Sequence, residues 1–412
     1  MREFPSKIIL PVTLIVVSTL AIGCGAGSGM SEQSQSSQTG TTVASNVQAI
    51  SVNTGPDLNY VDGAFTSVTV CVPGSATNCQ TITGILVDTG SSGLRILSSA
   101  LSISLPQQTG SGGNPIAECA PFEDGITWGP VQTADVKISG EQASSLPIQV
   151  IGSPSFSAIP SNCTSQGMPE DDLQNLGANG LLGLGQSIQD CGPDCAASGN
   201  PGIYYSCPSS GCVTTTEGLA QQVQNPVASF ATDNNGVIIE LPAVTGAEPS
   251  ASGSLIFGIG TQSNNGLGGA TVFGTDALGN FNTSYQNTTY PSFMDSGSNG
   301  IYFLDSSITG FPICSDFTFW YCPSSLQNIS IVNEALSGTN GASGAATFPV
   351  GNADALASNI NNAAVGGLAG PDPGTFDIGL PFFFGRNVYV AIEGKSTPGG
   401  TGPYSAYTNI PN

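Results

Sequence analysis

Two segments of this chain are versions of one another: VDTGSSGLRIL at 87–97 and MDSGSNGIYFL at 294–304. Each runs from an apolar strand into Asp, a small hydroxylated residue, Gly and Ser, and then into a second apolar run. A single copy reads as a turn in which the Asp caps its own backbone. Two copies 207 residues apart predict a duplicated fold that sets Asp88 and Asp295 face to face across a pseudo-two-fold axis. Two carboxylates in one site cannot both ionise easily, so one keeps a proton while the other stays charged. Such a pair offers a base to activate a water and an acid to protonate a leaving group. Gly90 and Gly297 would let the two tight loops pack back to back. Thr89 and Ser296 carry short hydroxyls able to reach the opposing loop. Ser91 and Ser298, three residues after each Asp, fall where they can bond the outer carboxylate oxygens.

Composition narrows the chemistry further. With 412 residues the chain is long enough for two lobes of ordinary domain size. It contains no histidine, which excludes Ser-His and Cys-His nucleophile pairs and imidazole-ligated zinc. Six Lys and Arg against 28 acids leave a net charge of −22, a surface that repels nucleic acid and anionic headgroups. Charged residues reach only 8%, Gly numbers 55, and 39% of residues are hydrophobic, which describes a turn-rich β protein rather than a disordered acidic tail. Protonating the carboxylates would relieve most of the self-repulsion, which suits an acidic workplace.

The N-terminus reads as an export signal. Arg2 and Lys7 precede the apolar run 8–23, and Leu20-Ala21-Ile22-Gly23-Cys24 resembles a bacterial lipobox, whose Cys is lipidated. Residues 1–24 are therefore expected to be a lipoprotein-type signal peptide and 25–46 a flexible Ser/Gly/Gln-rich tether. A coil of that length spans roughly 25 Å. The expected setting is a bacterial envelope, with an N-terminal lipid anchor as the sole membrane contact.

Ten further cysteines are an even number, as a disulfide framework in an oxidising compartment requires. Proximity in sequence suggests Cys71–Cys79, Cys191–Cys195, Cys207–Cys212 and Cys314–Cys322, leaving Cys119–Cys163. A metal site at CGPDC (191–195) would need partner ligands that the sequence does not offer.

Short β-branched runs broken by Gly, Pro, Asn and Ser dominate, as at 64–72, 81–87, 133–140, 146–152, 235–242, 253–260 and 387–394. The segment 217–231 carries helix formers in its first half and is expected to form a short helix. Residues 153–179 and 186–216 read as irregular and cysteine-stapled, and 333–375 as loop-rich.

On these residues the chain resembles the pepsin-type, two-lobed aspartic peptidases. The paired Asp-Thr-Gly (88–90) and Asp-Ser-Gly (295–297) are followed, in order, by NGLLGLG at 179–185 and IGLPFFFG at 378–385, which resemble that family's ψ-loop elements. GVIIELPAV and GSLIFGIG (236–244, 253–260) resemble the strands that open its second lobe. The resemblance implies an all-β architecture with lobes at 47–228 and 229–412, a cleft between pseudo-symmetric halves, and Asp88 and Asp295 as catalytic residues. It further implies that Thr89 and Ser296 cross-brace the two loops. A flap hairpin with a tip aromatic should cover the cleft, and Trp128-Gly129 stands where the family has Tyr-Gly. Arg95 stands where the family has Trp, so an Arg95–Trp128 cation–π contact is expected. Most of 50–395 also resembles exported bacterial proteins catalogued as a domain of unknown function.

The function expected is endopeptide hydrolysis through a water activated by the dyad, with no cofactor, no metal and no nucleic-acid partner, by a monomer acting on peptide or protein. A catalytically silent binding module with the same cleft is the alternative. A two-carboxylate glycosidase is a remote third, because the paired loops set the carboxyls too close for an inverting water.

Overall fold

The computed structural model describes residues 44–409 apart from Asn200 and Asp316; Cys24, the signal segment and nearly all of the expected tether lie outside the described residues. The chain is almost wholly β. Gln327–Glu334 shows why: Ile329, Ile331 and Asn333 turn inward while the residues between them face out, the period of two that a half-buried strand requires. Where strands are covered on both faces the alternation disappears, as in β4 (Ser92–Leu97) and β8 (Gly180–Leu184), buried throughout.

The two halves repeat one topology. In the first, β3 (Cys79–Asp88) runs parallel to β8, which pairs antiparallel with β4; Asp88 and Gly93 both face Gly183. In the second, Thr288–Met294 runs parallel to Asp372–Ile378, which pairs antiparallel with Ile301–Leu304; Met294 and Ile301 both face Ile378. Asp88 thus ends, and Asp295 directly follows, a strand whose continuation returns on the far side of a third, wedged strand. The elements at 179–185 and 378–385 expected to close the ψ loops do so. Val87, Leu94, Leu182, Met294, Ile301 and Ile378 back the two loops within one apolar core.

The halves are joined by more than these loops. β1 (Val47–Asn53) pairs with β2 (Gly63–Cys71) on one edge and with Ala251–Phe257 on the other. A 15-stranded sheet therefore takes strands from both halves, while the strands around the second loop belong to a separate seven-stranded sheet. A pepsin-like, two-lobed all-β architecture results.

All five disulfides pair as their spacing suggested. The helix expected at 217–231 does not form. Short 3-10 turns at Leu219–Gln221 and Pro226–Ser229 replace it, because Pro226 disfavours helix at Asn225, whose side chain instead caps Val227 N–H. The stretch 333–375, expected to be loop-rich, contains the strand Ser343–Val350, paired along its length with Gln327–Glu334. Among the described residues no helix is long and apolar enough to cross a membrane.

Candidate active site

Asp88 and Asp295 sit at the tips of equivalent loops. Asp88 Oδ1 accepts the N–H groups of Gly90 (2.8 Å) and Ser91 (3.2 Å), and its Oδ2 accepts the Ser91 hydroxyl. Asp295 Oδ1 accepts Gly297 N–H (2.7 Å) and its Oδ2 the Ser298 hydroxyl (2.9 Å). The serines thus hold the Oδ2 oxygens, as their spacing suggested.

The loops touch where the glycines lie. A Cβ on Gly90 would stand 2.5 Å from Asp295 Cγ, and one on Gly297 would stand 2.8 Å from Asp88 Oδ1. Only a residue without a side chain allows that approach. Thr89 and Ser296 then lock the pair: Ser296 N–H donates to Thr89 Oγ1 (2.9 Å) and Thr89 N–H to Ser296 Oγ (3.2 Å). Each hydroxyl also donates back across the boundary, Thr89 to Met294 C=O (3.0 Å) and Ser296 to Val87 C=O (2.8 Å).

Burial, followed by the charge and hydrogen bonding of Asp88, pushes the Asp295 carboxyl up to about 8. Three donors converge on Asp88 and two on Asp295. Asp295 is therefore the carboxyl that keeps a proton. The arrangement can abstract one proton and deliver another within one site.

Ser298 has a second acceptor that the motif does not reveal. Its Oγ lies 2.6 Å from Oδ2 of Asp377, a buried residue on the wedged strand. Its only sequence signal is an acid inside the apolar run that leads to GLPFFFG.

The flap hairpin forms from β5 (Ile116–Pro121) and β6 (Ile126–Ile138). Its tip is Phe122–Gly125, closed by Phe122 N–H donating to Gly125 C=O at 2.8 Å. Trp128 and Gly129 are not at the tip, contrary to expectation. Trp128 lies opposite Cys119 within the ladder and is 2% exposed; its Nε1 donates to Phe156 C=O (2.7 Å) and its ring meets Tyr205 edge-on at 5.1 Å. Gly129 is required for packing, since a Cβ there would run into the Val150 carbonyl.

The expected Arg95–Trp128 contact is likewise overturned. Arg95 is buried and pairs with Glu118 of β5 (2.6 Å) and with Asp190 (3.2 Å). Burial works against its charge, but Glu118 and Asp190 outweigh it and hold the guanidinium above its ordinary value. Asp190, raised first by burial and then by Glu118, accepts the Tyr204 hydroxyl at 2.7 Å. The ring over Arg95 is Phe122, at 5.6 Å. A carboxylate in direct contact attracts a buried cation more strongly than a ring does. Arg95 therefore anchors the base of the flap.

The tip is acidic and reaches the second half. Asp372 is pushed up to about 6 by burial and by Glu123. Among the described residues the one group with metal-like spacing is Cys314, Cys322 and Asp354, and both its sulfurs are consumed in a disulfide.

The family model described as "Protein of unknown function (DUF3443)" matches residues 42–407. The chain belongs to that family. No curated protein sequence matches it. Among solved structures it is similar to the aspartic proteinase from Irpex lacteus, with a TM-score of 0.53 and 14% identity over 88% of this chain and 97% of that one. At that identity the likeness establishes the shared fold. This DUF3443 chain carries the duplicated Asp loops, the cross-brace and the flap on a pepsin-like frame.

Proposed function

We propose that this protein is an aspartic endopeptidase. The observation that carries the reading is the pair of Asp loops, cross-braced through Thr89 and Ser296 and packed so that Gly90 abuts Asp295 and Gly297 abuts Asp88. A water bound between them gives a proton to Asp88 as its oxygen attacks the scissile carbonyl carbon. Asp295 gives its proton to the carbonyl oxygen, forming a neutral gem-diol. On collapse Asp88 protonates the leaving nitrogen, the C–N bond breaks, and Asp295 recovers a proton from the diol. No covalent intermediate and no cofactor are needed. The hairpin tip bearing Phe122 closes over an extended peptide and excludes water.

Supporting the setting, five disulfides fit an oxidising compartment. We place the lobe boundary near residue 228 and the lipid anchor at Cys24, making the enzyme an exported, membrane-tethered monomer.

The test is incubation with denatured protein between about pH 3 and about pH 8, with and without a statine-type inhibitor, beside Asp88→Asn. Cleavage lost in the variant and blocked by the inhibitor is the expected result. Peptide bound in the cleft but left intact at every pH would make the protein a binding module.

A further inference from the structure

Ser298 serves two carboxyls with one proton. Its Oγ is 2.9 Å from Asp295 Oδ2 and 2.6 Å from Asp377 Oδ2. A hydroxyl has a single hydrogen to donate and lone pairs with which to accept. Were both carboxyls ionised, one of the two contacts would press lone pair against lone pair. One carboxyl must therefore carry a proton aimed at Ser298.

Asp377 is suited to be that one. It lies on Asp372–Ile378 between two neighbouring strands, facing Phe293 on one side and Tyr302 on the other. It is 7% exposed, and its Oδ1 has no hydrogen-bond partner among the described residues. A charged oxygen left there without a donor costs far more than the neutral carbonyl oxygen of an acid. Burial first, then the carboxyls of Asp295 and Asp372 and, from the flap tip, Glu123 favour the neutral form and outweigh the Ser298 hydrogen bond, which opposes it. Tyr302, opposite it, is itself held protonated, chiefly by burial. The first half has no counterpart, since the equivalent register position, facing Leu86, is Leu181.

We propose that Asp377 is a positioning residue for the Asp88/Asp295 pair: its carboxylic O–H donates to Ser298 Oγ and thereby commits the Ser298 proton to Asp295 Oδ2. The proposal rests on the peptidase reading above. Asp295 alternates between acid and carboxylate during turnover, and a hydrogen bond donated to the carboxylate is the stronger. The relay therefore helps most as Asp295 releases its proton. If Asp377 were ionised, the Ser298 hydroxyl would turn toward it. Asp295 would lose a donor, and a second buried charge would oppose the transition state.

The experiment compares Asp377→Asn, which keeps an N–H donor without charge, with Asp377→Leu, which keeps the volume without a donor. The Asn variant should retain kcat within about threefold, and the Leu variant should lose about tenfold in kcat with KM little changed. In a Ser298→Ala background the two should become equal. Alongside, side-chain carboxyl carbons of labelled Asp are titrated by NMR in the full chain. One resonance, absent from Asp377→Asn, should titrate well above the ordinary carboxylate range. Equal losses in the Asn and Leu variants, or an Asp377 resonance titrating near about pH 4, overturn the proposal. If the wild type cleaves nothing, the peptidase reading fails by itself and the titration alone decides where the proton sits.

Discussion

Thr89 and Ser296 exchange backbone amides: each side-chain oxygen accepts the other residue's N–H, at 2.9 and 3.2 Å, from opposite halves of the molecule. All four groups are buried, so water cannot replace a missing partner. Thr89→Val keeps the shape but leaves Ser296 N–H and Met294 C=O without partners. We expect a loss of about 2–4 kcal/mol, read by denaturant unfolding. A loss indistinguishable from that of a surface Thr→Val change would contradict the account.

Acidity should stabilise the fold. Asp295 is pushed up to about 8 and Asp372 to about 6, while an unfolded Asp titrates near about 3.9. Between about pH 4 and about pH 8 the folded chain therefore holds protons that the unfolded chain has released, and stability falls as pH rises. The contribution is complete below about pH 4 and gone above about pH 8. Asp62, Asp190 and Asp377, each raised chiefly by burial, add the same sign. Tm should be higher at about pH 4.5 than at about pH 8.5, with a shallower slope in Asp295→Asn. A Tm that climbs across that interval would be inconsistent with these protonation states.

Arg95 is a stability residue more than a kinetic one. Arg95→Ala would strand Glu118 and Asp190 in the interior, at a cost of about 3–5 kcal/mol. Arg95→Met combined with Glu118→Gln should recover part of that loss, because it removes one of the two stranded carboxyls. Chemical denaturation of the three proteins checks this, and an Arg95→Ala variant as stable as wild type would show that the buried pair is not formed.

The five disulfides should not be equal. Cys119–Cys163 closes a 44-residue separation and ties the flap strand to a distant loop, whereas Cys191–Cys195 spans four. Loop entropy assigns about 4 kcal/mol to the first and about 2 to the second. Paired Cys→Ser variants compared by thermal melts should rank in that order.

The reach of the sequence can be traced residue by residue. The dyad, its serines and its cross-brace were legible because a tight Asp-x-Gly loop prescribes residue types at fixed local spacing, and the chain writes it twice. The disulfides were legible because four of the five close short loops. Strands such as β2 and β3 showed β-branched runs bounded by turn formers. Ser343–Val350 lacked that signal, and pairing with Gln327–Glu334 made it a strand.

The flap escaped because hairpin register depends on where the turn closes, and Phe122–Gly125 closes three residues before the tempting Trp128-Gly129. Arg95 found carboxylates at positions 118 and 190 that no local pattern links to it. Asp377 met Ser298 only because strand order lays it beside the second loop. Local chain geometry is thus fixed by neighbouring residues and can be read directly. Partners of buried charges are fixed by long-range packing, so the sequence alone determined which carboxyls form the site, and tertiary structure decided what surrounds them.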